Sequence, residues 1–111
     1  MIVLNNKETK METSEHPYVD MFRKEIDAYC TYKEWAENTQ DEFLERAFEE
    51  MMEDEYLHAR FLHDYLMDND LYAPSGDDEH ERKFWKIHKK YFRWITTKVE
   101  EIIFSTFFLY T

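Results

Sequence analysis

Glu55 and His58 stand three residues apart in the stretch MEDEYLHARFL, residues 52–62. On a helix that spacing puts a carboxylate and an imidazole on one face. Both fall in a row of otherwise apolar positions, Leu44, Phe48, Met51, Glu55, His58, Leu62 and Tyr65. The row advances by alternating steps of four and three, the mark of one helix side. An earlier row, Tyr18, Phe22, Glu25, Tyr29, Tyr32 and Ala36, steps the same way, with Glu25 as its one acid. A lone carboxylate in a dry interior costs several kcal/mol or keeps its proton, and two that face each other are worse off. A divalent cation removes that cost and leaves both ionised. Two carboxylates and an imidazole suit iron or manganese. The chain's one cysteine, Cys30, excludes zinc or iron–sulfur sites built from cysteine clusters.

These residues need long helices to position them. One Gly and two Pro in 111 residues leave little turn chemistry for a sheet. Residues 1–13 read as a flexible N-terminal arm, and 14–111 as a single helical domain. A first helix is expected from about 17 to 37, started by SEHPYVD with Pro17 in the first turn. ENTQDEF follows, with Asn38, Thr39 and Asp41 as end and cap residues. A second helix is expected from about 41 to 68. DNDLYAPSGDD, which holds the only Gly, breaks the chain again. A third helix, from about 78 onward, carries Phe84, Ile87, His88, Tyr91, Trp94, Ile95, Val99, Ile102 and Ile103 over a wide arc. With the hairpin turn near residue 39 or 40, Glu25 lies roughly 22 Å up the first helix and Glu55 roughly 23 Å up the second. His58 is about one turn further along. The three therefore share one level on facing helices.

One hairpin supplies two Glu and one His, too few for a closed di-metal centre. Two hairpins related by a two-fold axis supply four Glu and two His. That is the donor count of a di-iron or di-manganese carboxylate bundle.

Charge and hydropathy exclude several other functions. Net charge is −11, with residues 1–75 holding 19 acids and 7 bases and residues 76–111 holding 6 and 7. Such a body repels a phosphate backbone, so no nucleic-acid partner is expected. MIVLNNKETK is too short for a signal peptide's apolar core. No run reaches the length of a membrane span. The single thiol fits a reducing compartment, and the expected location is cytoplasmic, with packaging inside a protein compartment left open.

The residues resemble the ferritin-like superfamily, rubrerythrins and encapsulated ferritins most closely. The matching positions are Glu25, Tyr32 seven residues on, and Glu55 with His58, in a segment, FEEMMEDEYLHA, much like the second-helix motif of rubrerythrin. The resemblance covers about residues 18–68. It implies an all-α fold: a ferritin-like antiparallel helical hairpin plus a third C-terminal helix, its four-helix bundle completed by dimerisation. It implies two iron ions per dimer, or manganese, held by Glu25, Glu55 and His58 of each chain, with Tyr32 as a hydrogen-bond partner behind the ligands. The implied activity is oxidation of Fe(II) by O₂ or peroxide, or peroxide reduction. The four cysteines of a rubredoxin module are missing, as is a second Glu…Glu-x-x-His set. A single set is similar to encapsulated ferritin, whose site is shared between two chains, although no encapsulation peptide is evident.

Each residue also has a plainer reading. Glu55 and His58 could be a hydrogen-bonded pair on a half-wet face. Glu25 could be salt-bridged to Lys24 or Arg46. Tyr29 and Tyr32 could simply pack with their hydroxyls satisfied. His88 reads as a core histidine and His63 as exposed. Glu49, Glu50, Glu53 and Asp54 read as a solvated face with a possible role in cation entry. Met51 and Met52 read as core filler, and Cys30 as a buried small hydrophobe. Phe84, Trp85, Trp94, Phe104, Phe107 and Phe108 are too many large apolar groups for a small monomer to hide, so the third segment is expected to make an association surface. A metal-free helical adaptor that oligomerises through this segment is the alternative function.

Overall fold

The computed structural model describes residues 15–109, without the side chains of Ile95 and of residues 107–109. The expected arm at 1–13 lies outside the described residues, as do the side chains of Phe107 and Phe108. Three helices follow one another: α1 (Pro17–Asn38), α2 (Glu42–Asp68) and α3 (Glu79–Leu109). Among the described residues there is no strand, and the fold is all-α.

Local chemistry sets the helix ends. His16 Nδ1 accepts the Tyr18 amide at 3.1 Å ahead of Pro17. After α1, Thr39 takes an extended backbone. Asp41 then caps α2 by accepting the amides of Phe43 and Leu44 at 2.9 and 3.1 Å. Past the end of α2, Asp70 takes a left-handed conformation with φ 54°. That turn lets the Leu71 amide reach back to the Leu66 carbonyl at 2.9 Å. Asp78 caps α3 through the Glu81 amide at 3.0 Å. Its other oxygen accepts from the Tyr72 hydroxyl at 2.8 Å and from Arg23 at 3.4 Å. Asp78 thereby ties the α2–α3 connection to α1.

α1 and α2 form a hairpin, and the first half of α3 lies along one side of it. The buried stripe of α1 is Val19, Phe22, Ile26, Tyr29 and Ala36. That of α2 is Met52, Tyr56, Ala59, Leu62, His63 and Leu66. Phe84 and Ile87 of α3, with Tyr72, complete the core. Beyond Tyr91, α3 runs on with Phe92, Trp94, Val99, Ile102, Ile103 and Phe104 exposed. The molecule measures 76 × 39 × 20 Å with a radius of gyration of 19.5 Å, against roughly 13 Å for a compact chain of this size.

The rows read from periodicity are only partly the buried ones. Phe22, Tyr29 and Ala36 are buried as expected, but Tyr18 is exposed and Tyr32 half-buried. In α2 only Leu62 of the expected row is buried, while Leu44, Met51 and Tyr65 are exposed. The cause is a second apolar stripe in each helix, next to the first, and α3 covers only one of the two.

Candidate metal centre

Glu25 comes from α1, and Glu55 and His58 from α2. The carboxylates of Glu25 and Glu55 accept from His58 Nδ1 at 3.4 and 3.2 Å. One donor atom from each residue lies within 4.8 Å of the other two. The level predicted from helical rise and turn position is the level found. The expected burial is not: both glutamates are half-buried, and the His58 side chain is 60 % exposed.

The electrostatics follow from this crowding. Burial, then the neighbouring Glu25 carboxylate, push the Glu55 carboxyl above its ordinary range, with His58 opposing. Partial burial works against the His58 cation, but Glu25 and Glu55 outweigh it and raise its pKa. Two carboxylates that share one imidazole's proton are thus held together against their repulsion. Their donor set of two oxygens and one nitrogen, without thiolate, fits iron or manganese. Small side-chain rotations bring the three atoms to one ion, whose ligands would stand up to roughly 4.4 Å apart. Three donors would leave its coordination incomplete among the described residues of one chain.

The surroundings are apolar and open. A cleft of about 390 Å³ beside Glu25 and His58 is lined by Tyr18, Met21, Leu57, Phe61 and Leu62. Phe61 is 72 % exposed, and Met21, Leu44, Met51 and Leu57 are also exposed. Monomeric proteins rarely leave such a patch uncovered.

Tyr32 is not brought to the cluster. It sits two turns beyond Glu25, about 10 Å along α1, with its ring edge-on to Trp35 at 5.7 Å. The expected salt-bridge alternatives for Glu25 do not form. Lys24 pairs with Asp20 at 3.0 Å, and Arg46 lies in a groove with Glu42, Glu45 and Glu49. Glu49, Glu50, Glu53 and Asp54 are exposed, as a solvated face requires. Met52 is core but Met51 is not, and Cys30 is half-buried against the core. His88 is half-buried, with its Nδ1 sharing a 2.8 Å hydrogen bond with the Tyr56 hydroxyl.

His63 corrects the expectation of exposure: it is 3 % exposed. Its Nε2 donates to Glu81 at 2.9 and 3.1 Å, and its ring stacks on Phe84 at 4.3 Å. Glu81 also accepts from Trp85 Nε1 at 2.7 Å. The signal was present in Tyr56, Ala59, His63 and Leu66, which step by three and four just as the first row does.

A family model described as Rubrerythrin matches residues 19–103. That span holds Glu25, Tyr32, Glu55 and His58, and takes in most of α3 as well as the hairpin. No curated protein and no solved structure matches the chain.

Proposed function

The chain belongs to the rubrerythrin family, within the ferritin-like superfamily, and on that premise we propose that two copies pair to form an iron-handling ferroxidase centre. Glu25, Glu55 and His58 of each chain hold the metals, two ions per dimer, with manganese as the competing ion. Residues 14–111 act as one domain, and the one thiol suits the reducing cytoplasm. The observation that carries the reading is the convergence of these three side chains from two helices, with donor atoms within 4.8 Å, on a face that is otherwise apolar and open.

Iron enters as substrate: two Fe(II) ions each give up one electron, and either one peroxide with two protons becomes two waters or one O₂ with two protons becomes one hydrogen peroxide. The chain's residues supply the rest. Glu25 and Glu55 would hold the ions and offset their charge. His58 adds a neutral nitrogen donor once it has lost its proton. Leu57, Phe61 and Met21 meet their counterparts on the partner and exclude water from the centre. Tyr32, two turns from Glu25 on the same side of α1, would act on the centre only through groups that the partner brings to its level. Among the described residues no helix is long and apolar enough to cross a membrane.

The exposed apolar residues of α3 favour one other reading, a metal-free oligomerising adaptor. Anaerobic Fe(II) titration with native mass measurement separates the two. The ferroxidase reading expects about one iron per chain in a species of two chains or a multiple, and loss of iron in Glu25→Gln/His58→Gln. No bound iron, or uptake unchanged in that variant, removes the metal centre. Assembly that persists or tightens in the variant without any iron in the parent supports the adaptor.

A further inference from the structure

The first half of α3 buries Phe84 and Ile87 against the hairpin, and Tyr91 packs against the same core. The apolar pattern does not stop where that cover does. Phe92, Ile95, Val99 and Ile102 advance by steps of three, four and three, the spacing of a two-stranded coiled-coil seam. Phe92 is 59 %, Val99 46 % and Ile102 64 % exposed. Ile103, next to the row, is exposed as well. An apolar row left open at this spacing fits against another helix.

The charges beside the row say which helix. Residues 91–106 carry two bases, Arg93 and Lys98, followed by two acids, Glu100 and Glu101. The segment is neutral, so neither the acidic hairpin of another copy nor an anionic lipid surface draws it. It is complementary to itself instead. Two copies laid antiparallel about a two-fold axis near Thr97 set Phe92 of one level with Ile102 of the other, and position 95 level with Val99. The same register brings Arg93 of each copy to within one residue, roughly 1.5 Å along the axis, of the level of Glu100 of the other. A parallel pair would set Arg93 against Arg93 and Glu100 against Glu100, which like charges oppose. Among the described residues neither Arg93 nor Glu100 forms an ion pair. Lys98, which comes level with its own symmetry mate, is already paired with Glu101 of its own helix at 3.6 Å.

We propose that the distal half of α3 docks antiparallel on the same segment of a second copy, with the apolar row buried between the two helices and Arg93 of each set beside Glu100 of the other. Phe92 to Ile102 spans roughly 15 Å, which is short for a contact that stands alone. Its strength rests on the hairpin pairing proposed above: a pair of chains carries two such rows, and two weak contacts between pairs reinforce each other. A chain that cannot pair through its hairpin therefore stays single, and the α3 contact joins pairs into larger assemblies. Glu25, Glu55 and His58 lie on the other two helices, so iron occupancy is read separately from this contact.

The test is cysteine cross-linking of the full chain in a Cys30→Ser background, with native mass and iron per chain measured on the same samples. Chains carrying Phe92→Cys, mixed with chains carrying Ile102→Cys, should join as mixed disulfides under mild oxidation. Neither variant should join to itself, because like positions stand roughly 15 Å apart along the axis, beyond the reach of a disulfide. Val99→Glu/Ile102→Glu alters exposed positions, and should remove every species above two chains while iron per chain stays unchanged. No mixed disulfide, self-linked products as abundant as mixed ones, or an unchanged mass in the double variant overturns the contact. So does a link from Phe92→Cys to Phe61→Cys, which gives the row to the hairpin of another copy. Sedimentation with phosphatidylglycerol vesicles in place of mixed links also overturns it, and gives the row to a lipid surface. Mixed links in a protein that takes up no iron uphold the contact and remove only the metal centre. Should the double variant not fold, the cross-links decide alone.

Discussion

On the side of the hairpin that meets α3, the polar groups have partners. His63 is bonded to Glu81, Tyr56 to His88, and Tyr72 to Asp78, all among Phe22, Phe84 and Ile87. On the opposite side, Glu25, Glu55 and His58 have only one another among the described residues, amid apolar residues that water reaches. The same two helices carry both sides, built from equally apolar stripes. Among the described residues only the first stripe finds a cover. The difference leaves the first to folding and keeps the second open for the metal ion and second hairpin proposed above.

Substitution should separate the two roles. The largest effect is expected from Phe84→Ala, which removes a ring that is 2 % exposed and packs on Phe22 at 5.5 Å and His63 at 4.3 Å. It should cost about 3–5 kcal/mol, read by urea unfolding, while the α1–α2 ligands stay in place. Phe61→Asp on the open side should change monomer stability by no more than about 0.5 kcal/mol, yet abolish pairing in native mass spectra and with it iron retention. If Phe61→Asp unfolded the chain, or left the assembly intact, the open side would not be the pairing face.

Acid and base sharpen the same contrast, because the two sides carry opposite signs. Burial, then the Arg60 charge, lower the His88 pKa below its ordinary 6.5. Its neighbours are Tyr56, Arg60, His63 and Asp64 on α2, and Phe84, Trp85 and Phe92 on α3. Below pH 6.5 the unfolded chain takes a proton that the fold disfavours, so this contribution to stability falls with falling pH. Glu55 and His58 are raised above 4.5 and 6.5. In the metal-free protein the fold holds their protons longer than the unfolded chain does, so their contribution falls as pH rises through the folded values. Melting temperatures between about pH 5 and 8 should show His88→Gln flattening the acid limb and Glu25→Gln flattening the alkaline one. Both limbs responding to one variant would contradict the separation.

Much of this architecture was legible in the residues. The helix limits followed from Pro17, Asp41 and the DNDLYAPSGDD break. The height match of Glu25 with Glu55 needed only the turn position and helical rise. Periodicity could not tell which of two adjacent stripes α3 would cover, since Tyr56, Ala59, His63 and Leu66 step just as Leu44, Phe48, Met51 and Glu55 do. The choice rests on shape and on pairings distant in sequence, such as His63 with Glu81, that a local pattern does not encode. Exposure of the ligand row, and burial of His63, went unseen for that one reason.

The smallest effect is expected at Tyr32, the one residue that the resemblance implies and the single chain does not bring to the cluster. Its ring is held by Trp35, which in turn packs on Phe48 at 5.6 Å, so Tyr32→Phe removes a hydroxyl without disturbing packing. Tyr32 is on the ligand side of α1, two turns from Glu25, so its hydroxyl can serve a metal centre only through what the partner hairpin brings to that level. Iron stoichiometry should therefore be unchanged in the variant, and Fe(II) oxidation slowed about tenfold, at the low end for groups that support ligands from behind. Trp35→Ala, which frees the ring but keeps the hydroxyl, should slow it less. Stopped-flow oxidation at equal iron loading makes the measurement. Equal rates for Tyr32→Phe and the parent would leave Tyr32 a packing residue, and the open face would then work with Glu25, Glu55 and His58 alone.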